Sequence, residues 1–282
     1  GLFYSAITTF LGFQANDAEF KVMGLAAYGE PILKDKFDKI LSFSKEKGIQ
    51  LDCDYFDFSP ESPFPFSIKF IENFGPPASP SSQYAEDFTT KENVRASKTL
   101  THYANIASSA QACLTSIVEK IFNEYTNGIE SPILYSGGVA LNTKSNYTLL
   151  KSFPLLISPD PGDGGSSLGA AVASYNEKNK SIPRFLSPYL GYDISQDNVI
   201  SILADYPALN YKEFDSLKLM YENAVEELNK GNVIGWAHNR AEFGPRALGS
   251  RSIIADPSKN EAQLFVNKAV KFREPFRPFA PA

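Results

Sequence analysis

A chain of 282 residues with 43% hydrophobic and 21% charged content has an ordinary globular composition, enough for one large core or two smaller ones. Its formal net charge of −5 disfavours general nucleic-acid binding. No apolar run approaches the roughly 20 residues that a membrane helix needs, no stretch reads as a secretory leader, and Cys53 and Cys113 form no disulfide or metal pattern, so reduced thiols and a cytoplasmic location are expected.

In chain order, Leu2, Ala6, Thr9, Phe10 and Phe13 fit a helical stripe. The chain starts inside that stripe without an initiator methionine and stops at Ala282 directly after a motif, so a piece of a longer protein is expected. Gly24, Gly29 and Pro31 punctuate the exit from KVMGLAAYG (Lys21 to Gly29), where Lys21 reads as a structural lysine more readily than as a ligand contact. Residues 32–50 are charge-rich with a helical pattern at Ile32, Leu33, Phe37, Ile40 and Leu41. Residues 51–98, with Pro60, Pro63, Pro65, Pro76, Pro77 and Pro80, are expected to form a long insert with little regular structure. Loops of that length are uncommon unless functional or covered.

Tyr103 to Asn127 carries the clearest stripe, from Ile106 and Ala110 through Ile117 to Tyr125, with Gly128 closing it. His102, near its start, reads as a cap or a packed group. Then one design occurs twice. Pro132 to Tyr135 is a predicted buried strand running into Gly137-Gly138; Leu155 to Ser158 is a second strand, followed by the glycine loop 162–165 and a helix from Ser166 to Tyr175. Two strand–glycine loop–helix units predict an α/β domain with a mostly parallel sheet and ligands beyond the carboxyl ends of its strands. A domain boundary is expected within 177–188, dividing the chain into residues 1–182 and 183–282. The second part should hold a helix over Ser216 to Lys230 and a strand over Asn232 to Ala237.

The chemistry concentrates late. Five of the seven arginines (Arg240, Arg246, Arg251, Arg273 and Arg277) lie after residue 239. From Gly231 onward eight Lys/Arg face four Asp/Glu, whereas the remainder carries 19 against 28. Guanidinium forks suit phosphate and carboxylate because they give paired hydrogen bonds and never lose charge. A solvated basic face is the plain alternative, but Phe243, Leu248, Ile253, Ile254, Phe272, Phe276 and Phe279 interleave with these arginines and favour an anion site. Pro275 and Pro278 argue for a loop around Arg273 and Arg277. Upstream, Gly137 and Gly138 let backbone N–H groups approach a nucleotide, with Asn142 able to add a bond, although a tight turn explains the pair equally well. Asp163, within Gly162–Gly165, is either a helix cap or a metal or nucleotide contact.

EFGPRALGSRSIIADP and KFREPFRPFAPA resemble the signature of the O-carbamoyltransferases, which include nodulation-factor and antibiotic-tailoring enzymes. SGGVALN, DPGDGGSSLGAA and KVMGLAAYG resemble further segments of that family, with Ala27 where proline is usual. The resemblance implies the end of an actin-like/sugar-kinase (ASKHA) α/β domain followed by much of a YrdC-like α+β domain. It implies ATP as cofactor, with nucleotide contacts at Gly137, Gly138, Asn142, Gly164 and Gly165. A divalent metal, usually iron, would be held by Asp163, with Mg compatible at the nucleotide. Carbamoyl phosphate would become carbamoyl-adenylate, and the carbamoyl group would pass to a hydroxyl of a sugar-like acceptor. Arg246 and Arg251 would meet the phosphate-bearing substrate, with Lys271, Arg273 and Arg277 as further anion contacts. The family's metal-binding histidines would lie upstream of Gly1, since His102 and His238 lack the HxxxH spacing, so the chain alone is expected to be inactive. A homodimer stays open, and neither membrane nor nucleic acid is expected as a partner. Against this stand a sugar kinase or ATPase of the same superfamily, which leaves the arginine cluster without a task, and a non-catalytic nucleotide-binding module.

Overall fold

The computed structural model describes residues 1–79, 87–181, 187–259 and 261–280. It is a mixed α/β structure with three two-stranded sheets among the described residues. Two compact units are present, one of Gly1–Ile157 with Lys271–Phe279, the other of Ser158–Val270 with Ala280. Pro80 and the boundary expected between residues 182 and 183 lie outside the described residues.

In the first unit, α1 (Leu2–Phe10) buries Phe3, Ile7 and Phe10, and α2 (Glu19–Leu25) and α3 (Lys34–Ile40) follow. The helical pattern expected through residue 50 stops at Ile40. From there the chain forms an antiparallel hairpin, β1 (Leu41–Ser44) and β2 (Gly48–Leu51), with Leu41 opposite Leu51 and Ser44 opposite Gly48. Leu41 and Phe43 satisfy a strand's period of two as well as a helix's opening turn, and Gly48 at φ +67 supplies the reversal.

The described part of 51–98 is also more ordered than its prolines suggest. It contains α4 (Ile68–Phe74), capped by Ser67, and a helix over Lys91–Ala96 capped by Thr90. Phe56, Phe66, Phe70, Phe74 and Phe88 are all buried. Phe70 lies 4.9 Å from Phe10 and Phe37 lies 4.5 Å from Phe74, centroid to centroid. Prolines erase the periodicity, but each buried phenylalanine still contributes about 2–3 kcal/mol.

Against this core lies the long helix Lys98–Thr126, 29 residues capped by Ser97, which starts earlier than its stripe indicated. Its apolar face buries Ile106, Ala110, Cys113, Ile117 and Phe122. The chain crosses it at Gly29, where a Cβ would sit 2.1 Å from the Ala104 carbonyl oxygen, so only glycine permits the crossing. His102 is packed, its Nε2 2.7 Å from the Phe74 carbonyl oxygen.

β3 (Ile133–Tyr135) and β4 (Leu155–Ile157) pair in parallel, with Ile133 opposite Leu155. The expectation of a buried strand is corrected: Leu134 and Leu156 are 73% and 56% exposed, so this pair is covered on one face only. Lys271–Phe279 joins this unit without regular structure, as its prolines foretell. Phe276 is 1% exposed, with Phe13, Tyr28 and Phe88 at 6.1, 6.5 and 6.0 Å.

The second unit holds the helices Ser166–Asn179, Gln196–Asp205 and Leu217–Asn229, the last capped by Ser216. β5 (Ile234–Ala237) pairs antiparallel with β6 (Arg251–Ile254), Ala237 opposite Arg251. The segment before the first of these partners also takes part, because Gly191 N–H donates to Ala241 O at 2.9 Å and Ala241 N–H to Tyr192 O at 2.8 Å. Neither Gln196–Asp205 nor β6 was foreseen, since β6 is four residues long and sits inside the arginine motif.

Candidate functional site

The loop from Glu242 to Arg251 leaves β5 and returns as β6 after turning at Gly244 (φ +117) and Gly249 (φ +102). Its centre is an acid that composition did not single out. Glu242 Oε1 accepts N–H bonds from Leu248 at 2.8 Å, Ser250 at 2.7 Å and Arg251 at 3.2 Å. Burial pushes the Glu242 carboxyl up, but these backbone donors more than offset it and pull the group down to about 2.

Arg251 complements it. Its NH1 donates to the carbonyls of His238 and Ser250 at 2.8 and 2.9 Å, and its NH2 to those of Tyr192 and Asn239 at 3.2 and 2.9 Å. The guanidinium therefore staples main chain. Arg240 likewise donates to Leu190 O at 3.1 Å. Arg246 is exposed and has no ion pair or hydrogen bond to any described residue.

This loop touches the second glycine motif within the same unit. A Cβ on Gly244 would sit 2.5 Å from Pro159 O. Asp160, the next residue, folds over the glycines that follow: its carboxylate would meet a Cβ on Gly164 at 2.1 Å and its carbonyl one on Gly165 at 2.1 Å. Gly164 and Gly165 are thus required by Asp160, and they open the helix Ser166–Asn179 through a 3-10 turn. Asp163 is exposed at that turn. Among the described residues no three His, Cys, Asp or Glu side chains gather as a metal would require, and His238 lies against Ser250 Oγ. One exposed carboxylate does not make a metal centre, so no step is routed through a metal.

The first glycine pair belongs to the first unit. Gly137 has φ +98, and neither it nor Gly138 has an atom near a notional Cβ, so this turn is open to an incoming ligand. Asn142 is buried and engaged. Its Oδ1 caps the helix Thr143–Leu149 through Ser145 N–H and accepts from Gln111 Nε2 at 3.1 Å, while its Nδ2 donates to Gln111 Oε1 at 2.9 Å. Tyr4 Oη also donates to Gln111 Oε1, at 2.7 Å. Asn142 is placed to fix the turn rather than to reach out from it.

Lys271, Arg273 and Arg277 also lie in the first unit. Glu274 is buried among them, its Oε1 2.5 Å from Lys21 Nζ and its Oε2 3.7 Å from Arg277. Arg277 stacks over Phe20 at 4.4 Å and Arg273 over Phe279 at 5.2 Å. Partial burial, then the charges of Arg273 and Arg277, hold the Lys271 ammonium below its usual range. Lys21 has the structural part that its segment suggested. Glu242, Glu274, Gln111 and Asp160 were missed; the signal for the two glutamates was acid embedded in an arginine-rich stretch. A cavity of about 270 Å³ on the helix Leu217–Asn229, lined by Lys212, Phe214, Asp215 and Glu226, contains none of the predicted site residues.

Residues 1–172 match the Carbamoyltransferase N-terminus model and residues 225–282 the Carbamoyltransferase C-terminus model. The chain is 34% identical over its whole length to the Synechocystis protein sll1178, of which it covers 45%. It is 31% identical to the nodulation protein NolNO of Sinorhizobium fredii, again over its whole length and 38% of that protein. Over 54% of its length it is 30% identical to the 3'-hydroxymethylcephem-O-carbamoyltransferase of Streptomyces clavuligerus, covering 28% of that enzyme. The chain belongs to the carbamoyltransferase family, and it spans less than half the length of these three relatives. No helix among the described residues is long and apolar enough to cross a membrane.

Proposed function

We propose that the intact protein is an ATP-dependent O-carbamoyltransferase, which makes carbamoyl-adenylate from carbamoyl phosphate and ATP with release of pyrophosphate and passes the carbamoyl group to a hydroxyl of a sugar-like acceptor. The family membership supports the reaction class. The observation that carries the reading is local: Gly244 of the Glu242–Arg251 loop packs on Pro159 and Asp160, Asp160 in turn covers Gly164 and Gly165, and Arg246 of the same loop is exposed and unengaged.

Joining two anions requires charge neutralisation and alignment at the same time. In this reading Arg246 meets the carbamoyl phosphate oxygens, and the N–H group of Gly164 approaches the nucleotide, while Gly165 N–H closes the turn on Gly162 O at 3.1 Å. Within the first unit, the open turn at Gly137 and Gly138, steadied by Asn142, is a candidate nucleotide-binding turn of an ASKHA-type half-domain. Lys271, Arg273 and Arg277 form an anion-binding set held in place by Glu274. Asp163 would be one ligand of a divalent metal.

The test is AMP formation that depends on carbamoyl phosphate. Arg246→Ala in the intact protein should lower it by about 10²–10³-fold, the usual effect of removing one charge-stabilising donor. A wild-type rate would remove Arg246 from the reaction.

A further inference from the structure

Resting on the reaction proposed above, we propose that Glu242 is a positioning residue: together with the Arg251 guanidinium, its carboxylate fixes the 242–251 loop so that Arg246 is the arginine of that loop presented to the substrate phosphate.

The argument is one of filled and unfilled donors. Glu242 Oε1 gathers three consecutive-face N–H groups, from Leu248, Ser250 and Arg251. Converging backbone N–H groups are what an external phosphate would seek in a glycine-bearing loop. Here an internal carboxylate already holds them. Arg251 spends four of its five N–H donors on the carbonyls of His238, Ser250, Tyr192 and Asn239. Its exchange for a substrate oxygen would leave those carbonyls unpaired. One acid and one base thus satisfy opposite polar groups of the same turn, and Tyr189 Oη adds a bond to Leu248 O at 2.9 Å. Arg246 lies at the part of the loop that neither reaches. Two arginines that look alike in the motif therefore have separate tasks: Arg251 acts on the loop, Arg246 on the ligand. The same three N–H donors hold the Glu242 carboxyl well below the usual carboxylate range.

A double-mutant cycle in the intact protein tests this. Arg246→Ala, Glu242→Ala and the double variant are compared for carbamoyl phosphate KM and for affinity toward inorganic phosphate. Glu242→Ala should weaken both by about 10- to 100-fold, because loosened support mispositions one charged hydrogen-bonding group. The double variant should be no weaker than Arg246→Ala alone, since both changes remove the same contact. Glu242→Gln keeps an oxygen acceptor and should restore affinity to within about threefold; if Glu242→Ala does not fold, the cycle is read with Glu242→Asp, whose shorter side chain withdraws the acceptor from the Leu248, Ser250 and Arg251 N–H groups. Additive effects, or a Glu242→Ala variant with wild-type phosphate affinity, overturn the proposal, because a merely structural defect would not be masked by Arg246→Ala. Inorganic phosphate reads the same cycle without turnover. A wild-type protein that shows the masked cycle with phosphate but never uses carbamoyl phosphate therefore refutes the reaction and supports the role of the loop.

Discussion

Replacing Phe276 by alanine probes how the late arginine segment is held. The ring is 1% exposed and faces Phe13, Tyr28 and Phe88, with Gly24 backing it so closely that a Cβ there would lie 3.5 Å from its edge. Main chain lines part of the void that truncation would leave, so the site collapses poorly. Truncation of a buried phenylalanine costs about 3–5 kcal/mol, lost edge-to-face contacts included. With a urea slope of about 2 kcal/mol/M, the unfolding midpoint of the first unit should fall by about 2 M. Tryptophan emission reports poorly here, because Trp236 lies in the other unit, so far-UV circular dichroism or pulse proteolysis is the suitable readout. Phe272→Ala, at a residue 84% exposed, should change stability by less than about 0.5 kcal/mol. A Phe276→Ala midpoint within about 0.5 M of wild type would show that Lys271–Phe279 does not dock as described.

Three further outcomes are expected. Gln111→Leu strands Tyr4 Oη and the Asn142 amide in a buried site, at about 2–4 kcal/mol, so the thermal midpoint should drop by about 5–10 °C; an unchanged midpoint would show that the network adds nothing. Glu242 has a folded value of about 2 against 4.5 unfolded, so its stabilisation is complete above about pH 4.5 and is lost as pH falls toward 2. The stability difference between wild type and Glu242→Gln should accordingly be flat from neutral pH to about 4.5 and then shrink, and a difference that persists at pH 2 would contradict this. Burial first, then Asp38, pushes the Cys113 thiol up to about 12, whereas Cys53 is exposed; a thiol reagent at about pH 8 should titrate one group in the native protein and two after denaturation.

Much of the fold could be read where one period dominates. The long helix, the helix after Ser216, and both strand–glycine loop–helix repeats follow from spacing and caps. Reading failed where two periods coincide, as at Leu41 and Phe43, and where prolines mask apolar content, as between Phe56 and Phe88. β6 was hidden because its four residues were taken for site chemistry. For the site, residue type pointed to the arginine-rich segments, but not to the carboxylates and main-chain carbonyls that engage Arg251 and Arg277 there. A guanidinium that staples carbonyls and an exposed one have the same letter, and only the acceptors around Arg251 distinguish it from Arg246. Likewise the glycines at 164 and 165 read as ligand contacts, while Asp160 supplies a sufficient packing reason for them.

Because Lys271–Phe279 completes the first unit, that unit is discontinuous in the chain, and Lys21 meets a carboxylate 253 residues downstream. During synthesis the aromatic socket formed by Phe13, Tyr28 and Phe88 must wait, unsealed, until the ribosome has made all of Ser158–Val270. Contacts that distant close slowly, and the open socket is an exposed apolar surface in the meantime. Nascent chains that stall or terminate before Phe276 should therefore keep that socket exposed to chaperones and proteases.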